Sequence, residues 1–135
     1  MIKELDVVAK DRVGLIADMS YILAKNKINI ESIDTGGLGE TVIVKIGVLS
    51  AKYDRAKEAL KENGFEVLPP KALIIRTKDE PGTLAAVTRK LADKKVDILE
   101  IHLLGKKEDY HYFSVIVDKQ KEAMKVLGDQ LVNEF

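Results

Sequence analysis

The chain uses one pattern twice. Sliding the sequence against itself by 68 residues sets Lys10 on Lys78, Asp11 on Asp79, Gly14 on Gly82, Ala17 on Ala85, and Leu23-Ala24 on Leu91-Ala92. Lys27 then meets Lys95, Ile30 meets Ile98, Ile33 meets Ile101 and Gly37 meets Gly105. Ten of the 28 columns from Lys10 to Gly37 are identical, where ordinary composition gives about two by chance. Leu5/Leu73, Val7/Ile75, Ile16/Leu84, Met19/Val87 and Ile28/Val96 add conservative pairs. A tandem duplication restricts the fold to one that half of a 135-residue chain can complete. Pro69-Pro70 is the stiff joint, so the expected domains are residues 1–69 and 70–135.

Each copy reads alike. Leu5 and Val7, like Leu73 and Ile75, alternate with polar positions and predict a strand. Asp11-Arg12-Val13-Gly14 and Asp79-Glu80-Pro81-Gly82 are turn and helix-start signals. Leu15, Ile16, Met19, Ile22 and Leu23, then Leu84, Val87 and Leu91, follow at helical spacing. Residues 28–33 and 96–104 alternate and are β-branched, hence strands. Gly36-Gly37-Leu38-Gly39 and residues 105–109 supply hairpin turns, and residues 41–49 and 110–117 return as strands. Ser50 and Asp118 are placed to cap second helices, Gly64 stops the first of these, and residues 65–68 and 131–135 are the closing strands. Each copy is therefore β-α-β-β-α-β, a ferredoxin-like α+β sandwich. Pairing Asp34–Leu38 with His102–Gly105 would join the copies into one eight-stranded antiparallel sheet with helices on one face.

Composition excludes several function classes. The 22 basic and 22 acidic side chains cancel, which removes the phosphate attraction that general nucleic-acid binders need; no nucleic acid is expected as a partner. With no Cys there is no disulfide frame, thiolate metal site or Cys nucleophile. The two His lack metal-ligand spacing, so no metal and no cofactor are expected. The first six residues are too polar for a signal peptide and no apolar run spans a bilayer, so the expectation is a cytoplasmic protein away from membranes.

The unit of this size and order, with D-x-x-G between first strand and first helix and an N/D-I element opening the second strand, resembles the ACT domain. The motif stands as Asp11-Arg12-Val13-Gly14-Leu15-Ile16 with Asn29-Ile30, and as Asp79-Glu80-Pro81-Gly82-Thr83-Leu84 with Asp97-Ile98. The resemblance implies a stand-alone tandem ACT protein that regulates amino-acid metabolism and binds an amino acid where two such domains pair. The physics of the loop points the same way. Glycine lets backbone approach a bound group, and the unpaired N–H groups of a first helical turn attract a carboxylate. The expected ligand-binding residues are Asp11, Arg12, Val13, Gly14, Leu15, Asn29, Ile30, Asp79, Pro81, Gly82, Thr83, Leu84, Asp97 and Ile98. The carboxylate would meet the loop amides, the ammonium Asn29 or Asp97, and Arg12 an acidic side chain. The alternative is that Asp11 and Asp79 are helix caps and the glycines plain turn formers.

Other features are weaker. Gly36–Gly39 lacks the GK[ST] ending of a phosphate loop and lies between strands. No serine sits in a G-x-S-x-G context and neither His has a triad-like partner, so no catalytic residue is named and the chain is read as non-enzymatic. Tyr110-His111-Tyr112-Phe113 occupies the place of RNA-stacking aromatics, but the first copy has none there and packing is the favoured role; which of Tyr112 and Phe113 faces the helices stays open. The sheet face opposite the helices exposes either Ile43 and Leu49 or Val42, Val44 and Ile46, which leads to an expected homodimer or larger homo-oligomer. Two functional readings remain: an amino-acid-binding regulatory module, or a regulatory subunit acting on a metabolic enzyme or transcription factor without its own ligand.

Overall fold

A computed structural model describes residues 1–132. The chain divides into two compact units, Met1–Pro70 and Lys71–Phe135. The first runs β1 (Ile2–Lys10), α1 (Leu15–Lys25), β2 (Ser32–Leu38), β3 (Thr41–Leu49), a 3-10 turn (Ser50–Lys52), α2 (Tyr53–Glu62) and β4 (Glu66–Val67). Its antiparallel sheet has the order β2-β3-β1-β4. The second runs β5 (Leu73–Lys78), α3 (Thr83–Asp93), β6 (Ile98–Lys107), β7 (Tyr110–Val117), α4 (Gln120–Leu127) and a 3-10 turn (Gly128–Gln130). Its sheet is β5-β7-β6, and a single Ile75–Leu131 bridge stands where the fourth strand would be. The rest of that expected strand, residues 133–135, lies outside the described residues.

Period-two alternation decides which face of each sheet the helices cover. Leu5 and Val7 of β1 and Val42, Val44, Ile46 and Val48 of β3 meet Leu15, Met19 and Leu23 of α1 and Tyr53, Ala56 and Leu60 of α2 in one core. The second core joins Leu73, Ile75, Phe113, Val115 and Val117 to Val87, Leu91, Ala123 and Leu127. Full burial of each such aliphatic or aromatic side chain contributes about 1.5–3 kcal/mol. Phe113 is thus the helix-facing aromatic, while Tyr112, also buried, lies on the other face. The expected apolar exposure of β3 holds only at its end: its even-numbered residues face the helices, and on the other face Ile43 is 1% exposed while Leu49 is 46% exposed.

The duplication extends to backbone geometry. Helices α1 and α3 begin and end 68 residues apart. Gly14 and Gly82 stand before them at φ 85° and 88°, the left-handed region that favours glycine. Lys27 and Lys95 follow them, both at φ 60°. Each lysine closes the same helix end: Ile28 N–H reaches Leu23 C=O and Lys27 N–H reaches Ala24 C=O, both at 2.9 Å, and Val96 and Lys95 repeat the bonds to Leu91 and Ala92. Gly64 ends α2 in the same way, with φ 86°.

Several expectations are corrected. The chain does not form one eight-stranded sheet; β2 ends one sheet and β6 ends the other. Both edges are irregular. The Thr35 amide is taken by the Asp34 carboxylate at 2.9 Å, and β6 is broken by register shifts at Ile98/Glu100 and Leu103/Gly105. Gly36-Gly37 lies inside β2, paired with Ile43 and Val42. The turns are instead Gly39-Glu40 and Glu108-Asp109, opened by residues of positive φ. Neither Ser50 nor Asp118 caps a helix. The Ser50 hydroxyl donates to Met1 C=O, and the Asp118 carboxylate accepts from the Asp97 amide.

Candidate functional site

The loop after β1 is short because its two ends are tied. Asp11 N–H donates to Glu40 C=O at 2.8 Å, which fixes the loop to the β2–β3 turn, and Asp79 N–H repeats the bond to Asp109 C=O at 2.7 Å. From there the chain must turn sharply into the helix, and the left-handed glycine makes the turn. No side chain caps either helix, so the reading of Asp11 and Asp79 as caps is overturned. The first intrahelical bonds are Asp18 N–H to Gly14 C=O (2.9 Å) and Ala86 N–H to Gly82 C=O (3.0 Å). The second and third amides of each helix, Ile16 and Ala17 or Leu84 and Ala85, therefore have no carbonyl partner among the described residues.

In the first unit this helix start opens on a groove of about 530 Å³. Asp11, Arg12, Gly14 and Leu15 line one wall, and Thr35 and Gly37 of β2 line the other. A Cβ on Gly37 would meet nothing within 4 Å, and one on Gly14 only the Arg12 guanidinium, so both glycines leave the groove wide. Reasoning from sequence missed Thr35 and Gly37. The Gly37/Gly105 identity was the available signal, and it was spent on a turn. Arg12 is held beside the groove by a 2.6 Å ion pair with Asp18, and both side chains are about half exposed.

The second loop is organised by Asp79. Its carboxylate accepts from Lys106 at the end of β6 and faces His111 of β7 at 3.4 Å. The hydrogen bond from Lys106 holds the Asp79 carboxyl below the ordinary carboxylate range, and the charge of His111 adds to the effect. The same bond raises Lys106. Thr83 directs its hydroxyl back to Lys78 C=O (2.5 Å) and Glu80 C=O (3.0 Å), so the hydroxyl is occupied in closing the loop.

Apart from Thr83, which is half-buried, the expected site residues fall into three groups. Asp11, Arg12, Val13, Gly14 and Asp79, Pro81, Gly82 are exposed loop residues at the two helix starts. Leu15, Leu84, Ile30 and Ile98 pack against the cores and can offer only backbone. Asn29 and Asp97 are exposed just ahead of β2 and β6, with side-chain oxygens open to solvent. Among the described residues no three His, Asp or Glu side chains gather as a metal site, and no helix is long and apolar enough to cross a membrane.

Fold and loops define a duplicated α+β protein with a glycine-opened helix start in each unit. Its sequence is 33% identical over 76 residues to the UPF0237 protein NMA1909 of Neisseria meningitidis serogroup A, covering 56% of this chain and 84% of that protein. The UPF0237 protein NMB1653 of N. meningitidis serogroup B matches to the same extent. The chain belongs to the UPF0237 family. No protein-family model matches it. Similar solved structures include protein BT0572 from Bacteroides thetaiotaomicron, 22% identical over 96% of this chain and 90% of that one with a TM-score of 0.49. The regulatory subunit of aspartate kinase from Thermus thermophilus is 16% identical over 96% and 97%, with a TM-score of 0.44.

Proposed function

We propose that this chain is a non-enzymatic, ACT-like regulatory module whose loops at Gly14 and Gly82 bind the carboxylate of an amino acid. The observation that carries the reading is the repeated helix start: the same left-handed glycine, 68 residues apart, ahead of helix amides without partners. Such amides hold a carboxylate without a basic side chain, because the hydrogen-bond donors and the helix dipole act together. The ammonium is left to a carboxylate or amide oxygen, for which Asp97 and Asn29 are the exposed choices. Pro81 has no N–H, so the second loop relies on the amides of Gly82, Leu84 and Ala85. The test is thermal stabilisation of the full chain across the twenty amino acids. A ligand at one hundred times its dissociation constant adds about 2.7 kcal/mol; a flat panel refutes the reading.

A second reading, a regulatory subunit that works by contact, is favoured by β6. Leu99, Ile101 and Leu103 are 56%, 38% and 60% exposed on an edge strand. An apolar strip of this kind suits a second copy of the chain or an enzyme surface. Sedimentation of the wild type against Leu99→Glu/Leu103→Glu tests it; identical monomeric behaviour of both, with no partner-dependent change, counts against association through β6.

A further inference from the structure

The two copies differ sharply at one matching place, the outer edge of their first strand. In the first unit Val8 is paired with Glu66 of β4, and Val8 and Leu15 are buried, with Ile22 packed against the same core. The residues 68 positions on are Arg76, Thr83 and Lys90. In the second unit, among the described residues, the Ile75–Leu131 bridge stands at this edge, and the 3-10 turn Gly128–Gln130 takes the place of the strand residues that would cover Arg76. What opens beside β5 is a groove of about 440 Å³, with Arg76, Lys78 and Lys90 on its walls and a floor that includes Val87 and the buried Thr77.

Among the described residues that line this groove, positive charge outweighs negative. Among the described residues, the three cations have no carboxylate within ion-pair distance. Lys90 Nζ donates instead to the neutral Gln130 amide oxygen at 3.1 Å. Arg76 is positioned rather than free: its guanidinium lies 4.7 Å over the Tyr110 ring, and Tyr110 also lines the groove. Asp129 is the one acidic residue lining it. In the first unit the matching positions supply Lys10 as the only cation. Replacing a paired, apolar strand edge by three cations against the one carboxylate of Asp129 leaves the groove's lining net positive, which favours an anion there. A stacked guanidinium with two ammonium groups matches a small ligand that carries more than one oxyanion charge.

We propose that the second unit binds a small dianionic metabolite, a phosphate monoester or a dicarboxylate, between β5, α3 and the 3-10 turn at Gly128–Gln130. This site goes beyond the loop reading: it shares Thr83 with that loop, but neither Gly82 nor Asp97 lines the groove, and an anion here needs no amino acid at the loops. The decisive variant restores the first copy's residues, Arg76→Val with Lys90→Ile. Both side chains stand at a groove rim, so folding is checked by circular dichroism and the urea midpoint. Isothermal titration of the full chain with glycerol 3-phosphate and with succinate, at low and moderate salt, separates the two ligand classes. The expected result is saturable binding of one class that weakens with salt and falls roughly tenfold to a hundredfold in the folded double variant. If the double variant is unfolded, the single Lys90→Gln variant is titrated instead, with a loss of roughly tenfold expected. Binding of neither probe below about 10 mM, or equal binding by wild type and folded variant, overturns the proposal. Asp97→Ala serves as the control: it removes the loop site's ammonium acceptor, does not line the groove, and leaves anion binding in place.

Discussion

Lys27 and Lys95 give the sharpest stability prediction, because each holds a left-handed backbone that glycine would hold at less cost. Both sit at φ 60° just after a helix, both are exposed, and neither side chain makes a hydrogen bond or ion pair among the described residues. A non-glycine residue in this region costs about 1–2 kcal/mol. Glycine returns part of that gain, about 0.5–1 kcal/mol, because it loses more freedom on folding. The net expectation for Lys27→Gly or Lys95→Gly is a gain of roughly 0.5–1 kcal/mol, since the closing bonds to Leu23, Ala24, Leu91 and Ala92 are backbone bonds and survive. For units of this size that corresponds to roughly 2–8 °C. Calorimetry with urea titration measures it, and Lys27→Ala and Lys95→Ala separate backbone from charge. Alanine keeps the strain, so the alanine variants stay within about 0.5 kcal/mol of wild type. Glycine variants that match or fall below alanine would refute the reasoning.

Gly14→Val and Gly82→Val force a β-branched residue to φ 85° or 88° and lower stability by about 1–3 kcal/mol each, although a Cβ at Gly82 meets nothing within 4 Å and one at Gly14 only the Arg12 guanidinium; urea midpoints at wild-type levels would contradict this. Asp79 has a depressed folded pKa, so its contribution is present above the unfolded Asp value of about 3.9 and fades as pH falls through the lower folded value. Asp79→Asn is therefore less stable than wild type at pH 6, with the gap closing below about pH 4; a gap independent of pH rules this out. Asp6 behaves oppositely. Burial, with the charge of Glu4 adding and Lys45 opposing, raises its carboxyl, and its Oδ1 has no hydrogen-bond partner. A raised carboxyl contributes stability below the unfolded Asp value that is lost as pH climbs through the folded one, so Asp6→Asn gains on wild type at pH 7 and not at pH 3.

Much of this molecule is written in its periodicities. The 68-residue offset located both helix starts, because Gly14 and Gly82 answer a backbone demand that recurs with the repeat. It carried the matching signal at Lys27 and Lys95, but lysine gives no hint of a positive φ and the demand there went unread. Strand β2 was misplaced because Gly36-Gly37 looks like a turn, whereas the register with β3 decides its place and pairing is not local. The one-sheet expectation failed for a similar reason. Bulges in β6 and the Asp34–Thr35 bond are geometric features of edges that alternation cannot reveal. The groove beside β5 is bordered by a 3-10 turn rather than by residues the alternation could place, and its cations read as ordinary solvated charge until the two copies are compared position by position.

The central claim, that the glycine-opened helix starts receive an amino-acid carboxylate, is tested most directly by amide chemical shifts of the ¹⁵N-labelled full chain during titration with each amino acid that stabilises it. The account predicts saturable shifts, largest at the amides of Gly14, Ile16 and Ala17 or of Gly82, Leu84 and Ala85, the donors at the two helix starts. Saturable binding that leaves all six amides unmoved, or no binding by any of the twenty, would contradict it.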